Sequence, residues 1–185
     1  MTDELLIRHC APTLAGIKTS NLFGCHYESR ALMTEDIRSI NLRLRPKGLR
    51  ALPLQYRKRY ALIFLYRPDR LVKDLEDEEA CRLLEDRGYD CESPSRCLSR
   101  LMERLRRAGK TDFPHEIGLF LGYPPEDVEG FIENQARGSK CAGVWKVYGD
   151  EARARAQFEA FQKCTEELFR RWDGGASVEQ LAVSQ

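Results

Sequence analysis

Apolar residues fall along this chain in two rhythms, one of helical spacing and one of short, nearly continuous runs. Residues 3–9 predict a short helix, closed at Ala11-Pro12 because the residue before a proline is pushed out of the helical region. Residues 13–18, TLAGIK, read as a first strand and residues 20–29 as loop. From Thr34, an N-cap with Asp36 in the first turn, Ile37 and Ile40 keep helical spacing, and this helix is expected to end near Arg45-Pro46. Residues 49–54 and 60–66 are strand-like, the second strongly so through ALIFLY. The five residues between them, 55–59, predict an antiparallel hairpin with a basic tip.

Pro68 suits a first-turn helical position, and Leu71, Val72 and Leu75 continue an amphipathic helix. A second helix is expected over 78–87 with Gly88 as its stop, and a third over 95–107. Residues 117–121 are a fourth strand candidate. Pro124-Pro125-Glu126-Asp127 then opens a helix to about Gln135, with proline early and carboxylates at the positive end of the dipole. Residues 141–148 supply a fifth strand, and Asp150 caps a long helix through Trp172 that Gly174-Gly175 ends. The expected fold is α+β, or a mixed α/β sheet: about five strands with helices packed on the sheet, in a single globular domain over 1–185 with a short tail over 174–185.

Composition narrows the function classes. A chain of 185 residues with 42% hydrophobic and 32% charged positions is an ordinary globular protein, able to bury a core without disulfides or a structural metal. Lys+Arg 30 against Asp+Glu 29 leaves a net charge of +1. That balance gives no electrostatic reason to expect nucleic acid or an acidic membrane as an obligatory partner. Seven cysteines, an odd number, and an acidic start at Thr2-Asp3-Glu4 favour a reduced, cytoplasmic setting. No apolar run approaches the roughly 20 residues that span a bilayer.

The candidate chemistry gathers in two stretches, HEIGLFLGYPPED from His115 and CAGVWKVYGDE from Cys141. His9-Cys10, Cys25-His26, His115 and Cys141 are residue types that bind soft or borderline transition metals, so Cys10, Cys25, His115 and Cys141 form a candidate metal set. Close C-x₂₋₄-C spacing is missing, so this is no zinc-finger signature. A thiolate beside an imidazole is a nucleophile, which makes Cys10, His115 and Cys141 a candidate catalytic group, oriented by Glu116 only if the chain bends there. Cys81 and Cys164 read instead as small hydrophobes in a core. Gly118, Gly122, Gly143 and Gly149 allow close approach of a helix, a backbone or a flat cofactor, with Lys18, Gly122, Tyr123, Trp145 and Tyr148 as candidate cofactor contacts. Close helix–sheet packing explains the same glycines equally well. No phosphate-loop or dinucleotide fingerprint is present.

HCAPTLAGIKTSNLF from His9, LYRPDRL from Leu65, FPHEIGLFLGYPPEDVEGFIEN from Phe113 and WKVYGD from Trp145 together resemble an uncharacterised bacterial family, domain of unknown function 3793. Four separated blocks in order, covering essentially the whole chain, make the resemblance specific. It implies a bacterial, anaerobic, cytoplasmic protein and brings no established activity. The family pattern often carries a second cysteine before WKVYGD, giving C-x-x-C, and another late in the final helix. Val144 and a residue near Phe169 stand there in this chain, against an essential local dithiol.

The leading expectation is a protein that binds a small ligand, metal or cofactor at a site built from the His9-Cys10 segment, the HEIGLFLGYP block and the Cys141 strand. The alternatives are a thiol-dependent enzyme using the same residues, and an interaction module for protein or RNA. The module would work through the basic stretch Arg43, Arg45, Lys47, Arg50 and Arg57-Lys58-Arg59. Such arginines also serve simply to protect a sheet edge.

Overall fold

The computed structural model describes residues 2–109 and 112–184. In chain order it contains α1 (Asp3–Leu14), β1 (Ser20–His26), α2 (Arg30–Leu44), a 3₁₀ turn (Arg45–Lys47), β2 (Arg50–Arg57), β3 (Tyr60–Tyr66) and α3 (Pro68–Leu75). Then follow α4 (Glu78–Glu85), α5 (Pro94–Arg107), α6 (Ile117–Phe120), α7 (Pro125–Glu133), β4 (Cys141–Ala142), β5 (Lys146–Val147), α8 (Glu151–Asp173) and α9 (Val178–Leu181). The fold is α+β as expected, but the five strands do not share one sheet. β1-β3-β2 form a three-stranded sheet and β4-β5 a separate hairpin, with every pairing antiparallel, so the mixed α/β alternative falls away. The chain divides into two compact units, Met1–Arg70 with Phe161–Gln185 and Leu71–Ala160. Among the described residues, no helix is long and apolar enough to cross a membrane.

In the first unit, α1 (Leu6, Ile7, Cys10, Leu14) and α2 (Met33, Ile37, Ile40, Leu44) share a core with Ala61, Ile63 and Leu65 of β3. Thr2 caps α1 by accepting from the Leu5 amide, and Asp3 and Glu4 fill its first turn. The expected stop at Ala11-Pro12 is not observed: α1 runs through Pro12 to Leu14. Pro12 deprives the Arg8 carbonyl of its donor, but Arg8 lies on the exposed face, where water can replace it, while Cys10, Ala11 and Leu14 gain burial. The predicted strand over 13–18 is therefore the last helical turn and a reversal at Gly16, whose φ of 76° suits a residue without Cβ.

Arg67, fully buried, closes the end of α1. Its guanidinium donates to the carbonyls of Thr13 (2.8 Å), Leu14 (2.8 Å), Val183 (2.8 Å) and Lys47 (3.2 Å). Two of these carbonyls belong to the last turn of α1, where positive charge is favoured. Burial, followed by the neighbouring Arg70 charge, pulls the Arg67 pKa below its ordinary value.

Of residues 20–29, expected as loop, 20–26 instead form β1 against β3, from Ser20 opposite Tyr66 to His26 opposite Tyr60, and 27–29 are loop. The hairpin of β2 and β3 is as expected, but longer: β2 reaches Arg57, and the exposed tip is Lys58-Arg59. α2 starts four residues before Thr34, capped by Ser29. The tail is partly ordered: Ser177 and Gln180 form a capping box at α9, which buries Val178 and Leu181. Gln185, its last residue, lies outside the described residues.

Arg43 does not belong to a free basic face. It pairs with Asp3 (2.6 Å) and with Glu179, joining the starts of α1 and α9 to α2. The Arg43 guanidinium holds the Glu179 carboxyl down to about 2. A depressed carboxylate pKa contributes stability that is present above the unfolded value near 4.3 and is lost as pH falls toward 2. Glu179→Gln should therefore lower the melting temperature at pH 7 and flatten its decline between about pH 4.3 and 2, measured by circular dichroism. An unchanged acid profile would show that the pair contributes nothing.

Candidate functional site

The second unit places the HEIGLFLGYPPED block in a turn and two helices, not in a strand. Residues 117–120 are α6, all four buried. A short run buried on every side has no period that separates strand from helix. The carbonyls of Pro114, His115 and Glu116 accept from the amides of Ile117, Gly118 and Leu119, which starts the turn. Pro125 then opens α7, which packs against α4, α6 and β5. The expected strand over 141–148 is only a tight hairpin, closed by a Gly143 amide to Trp145 carbonyl bond of 2.9 Å.

Asp127 explains why that strand stops. This first-turn residue of α7 is 3% exposed. Its Oδ2 accepts the Trp145 indole N–H at 2.7 Å, and its Oδ1 accepts the Tyr148 and Gly149 amides at 2.6 and 2.8 Å. The amides of Tyr148 and Gly149 are thus committed to a carboxylate and not to a neighbouring strand. Three N–H donors and the positive end of α7 stabilise the buried charge. Two glycines permit the close packing: a Cβ on Gly118 would stand 2.7 Å from Val128 Cγ2, and one on Gly130 would stand 2.6 Å from Tyr148 Cβ and Cγ.

Around this joint lies a cavity of about 160 Å³ lined by His115, Ile117, Gly118, Tyr123, Asp127, Val128, Phe131, Trp145 and Lys146. Tyr123 stacks on Trp145 at 4.9 Å between ring centroids, and His115 lies against Phe131 at 5.0 Å. Burial pushes the Tyr123 phenol up to about 12, so it stays protonated at neutral pH, with its hydroxyl donating to the Val144 carbonyl at 3.4 Å. The Lys146 ammonium donates to the Ala136 carbonyl at 2.6 Å. The wall is thus aromatic and apolar, with an imidazole and a lysine as its cation-capable members.

Of the residues expected at the site, His115, Tyr123 and Trp145 line this one cavity. Gly122 lines a second, more polar depression of about 240 Å³ with Lys73, Asp77 and Arg153, which shares Tyr123. Tyr148 packs over Gly130, and its buried hydroxyl has no partner among the described residues. Cys141 is half-buried in β4 opposite Val147, and the cavity wall contains no cysteine. Cys10 and Cys25 lie in the core of the first unit, where burial raises both thiol pKa values. Lys18, also in the first unit, donates to the Ser20 carbonyl. His9 sits on α1 and stacks on Phe23. Glu116 does not orient His115. It is buried and accepts from Tyr89 Oη at 2.8 Å and pairs with Arg104 Nε at 2.8 Å. Asp127, Val128 and Phe131 escaped the sequence reading. Val128 and Phe131 are spaced i, i+3 on α7 directly after Asp127, and that helical spacing was the available signal.

Cys81, Glu85 and Cys91 form a separate cluster whose ligand atoms all lie within 4.8 Å of one another. The expectation that Cys81 is only a core hydrophobe does not hold, since it is half-buried beside a carboxylate.

The fold and cavity define an α+β protein with an aromatic pocket held by a buried carboxylate. The chain belongs to the family described as Protein of unknown function (DUF3793), whose model matches residues 6–182. No curated protein and no solved structure matches the chain.

Asp127→Asn keeps the shape but offers one acceptor oxygen to three donors. It should lower the unfolding free energy by about 1 to 3 kcal/mol in urea denaturation. The near-ultraviolet circular dichroism of Trp145 should change with it. A variant of unchanged stability and spectrum would mean that the joint is dispensable.

Proposed function

We propose that this protein binds the flat ring of a small aromatic or heteroaromatic molecule in the cavity between His115, Phe131 and Trp145. The observation that carries this reading is a preformed apolar space of about 160 Å³ with ring pairs in its wall, its indole pinned by buried Asp127. A space of about 150 Å³ accommodates a benzene ring, so one ring fits and its substituents would reach outward. Ring-against-ring contact contributes about 0.5 to 1.5 kcal/mol beyond burial. His115 supplies a polar edge that selects orientation. Because Asp127 already accepts three hydrogen bonds, it acts here as a holder of the wall.

Benzamide and its saturated counterpart, cyclohexanecarboxamide, provide the test. In a Trp172→Phe background the remaining tryptophan is Trp145, and benzamide should quench it saturably. The saturated ring should bind about threefold to tenfold more weakly, the equivalent of the stacking energy. Phe131→Leu should erase most of that difference while leaving the fold intact. Absence of saturable quenching, or equal affinity for both rings in the parent chain, would overturn the reading.

A further inference from the structure

The second unit holds a group of side chains that the aromatic cavity does not use. Cys81 and Glu85 lie one turn apart on α4, whose start is fixed by Asp77 accepting from the Glu79 and Ala80 amides at 3.1 and 3.0 Å. The chain reverses after α4 with the Tyr89 amide donating to the Leu84 carbonyl at 3.1 Å, which returns Cys91 to the same turn of helix. Cys91 Sγ donates to the Cys81 carbonyl at 3.4 Å, and Cys81 Sγ to Glu85 Oε1 at 3.7 Å. Cys97, in the first turn of α5, is fully buried, with its Sγ donating to the Asp90 carbonyl at 3.1 Å. The thiols of Cys81 and Cys97 both neighbour that of Cys91 and act on it electrostatically. Cys81, Glu85 and Cys91 therefore meet at one place, with the Cys97 thiol neighbouring Cys91.

We propose that Cys81, Glu85, Cys91 and Cys97 form a binding site for a soft or borderline divalent transition metal, zinc being the reference ion. A tetrahedral zinc with Zn–S of about 2.3 Å needs ligand atoms about 3.8 Å apart. The Cys81, Glu85 and Cys91 atoms already lie within 4.8 Å of one another. Closure of these three thus requires about 1 Å of side-chain movement from half-buried thiols and an exposed carboxylate, and the buried Cys97 thiol must turn in from beside Cys91 as the fourth. Four protein ligands leave no open coordination position, which marks a structural site clamping α4 to α5. Uptake converts three thiols to thiolates, releasing three protons as the aquo ion gives up its waters, so affinity falls as pH falls. This site is independent of the aromatic cavity, and either can fail without the other.

The test uses the full chain without a histidine tag, reduced, stripped with a chelator and kept free of oxygen. Cobalt(II) should give the intense visible bands of a tetrahedral ion and a near-ultraviolet thiolate charge-transfer band, saturating at one equivalent and bleached by zinc. Zinc should raise the melting temperature. Cys81→Ser with Cys91→Ser should abolish both effects, and Cys164→Ser should keep them. Glu85→Gln alters an exposed side chain, so the fold survives and cobalt affinity should drop about tenfold or more; this variant decides the matter if the double variant misfolds. Weak octahedral spectra, bands that persist in the double variant, or unchanged affinity in Glu85→Gln would overturn the proposal. So would formation of a Cys81–Cys91 disulfide in preference to zinc uptake when air and zinc are supplied together.

Discussion

The buried Asp127 carboxylate is the interaction on which the aromatic cavity depends. It stands in the first turn of α7 and gathers three N–H donors from the turn and the exit of the β4-β5 hairpin. One is the indole of Trp145, so a single side chain fixes both where that segment runs and how its largest ring faces. A buried carboxylate with fewer partners would be expensive, and one with a satisfied set specifies geometry. The glycines serve the same end. Gly118 brings α6 against Val128 and Gly130 brings α7 against Tyr148, at distances that a Cβ would obstruct.

The first unit uses a comparable device with opposite charge. Arg67 is buried among four carbonyls, two of them at the end of α1, and the Leu14 carbonyl also accepts from the Val183 amide at 2.9 Å. Arginine suits this place because a planar fork of five donors can serve several acceptors at once, whereas lysine offers a point charge. Thr13, Lys47 and Val183 are distant in sequence, and one guanidinium settles their relative positions. Arg43 adds a partly exposed counterpart with Asp3 and Glu179. Several arginines that look like a continuous basic surface in the sequence are thus divided between structural work and the exposed tip at Arg57, Lys58 and Arg59.

Long amphipathic helices and the β2-β3 hairpin were legible in the sequence because period and turn chemistry agreed there. The failures have particular causes. IGLF is buried on all sides, so it carries no period, and the choice of strand over α6 had nothing to rest on. SNLFGCH looks polar because β1 is unevenly buried, alternating only in part. Ala11-Pro12 suggested a stop, yet burial of Cys10, Ala11 and Leu14 and the acceptor role of Thr13 and Leu14 toward Arg67 favour one more turn. At the cavity, His115, Tyr123 and Trp145 could be picked out by residue type and clustering, whereas Asp127 looked like an ordinary helix-start carboxylate. Its burial depends on chain reversal between α7 and β5, which no local pattern encodes. The thiol cluster was hidden for a similar reason: Cys81, Cys91 and Cys97 are too widely spaced for a recognised motif until α4 and α5 fold back.

The proposed ligand is a planar ring held between Trp145, Phe131 and His115. A crystal structure of the protein grown with benzamide tests it most directly. Flat density should appear in the 160 Å³ cavity, against the Trp145 and Phe131 rings, with the amide toward His115 and the Asp127 hydrogen bonds unchanged. Benzamide bound elsewhere while this cavity stays filled by water or by its own side chains would contradict it.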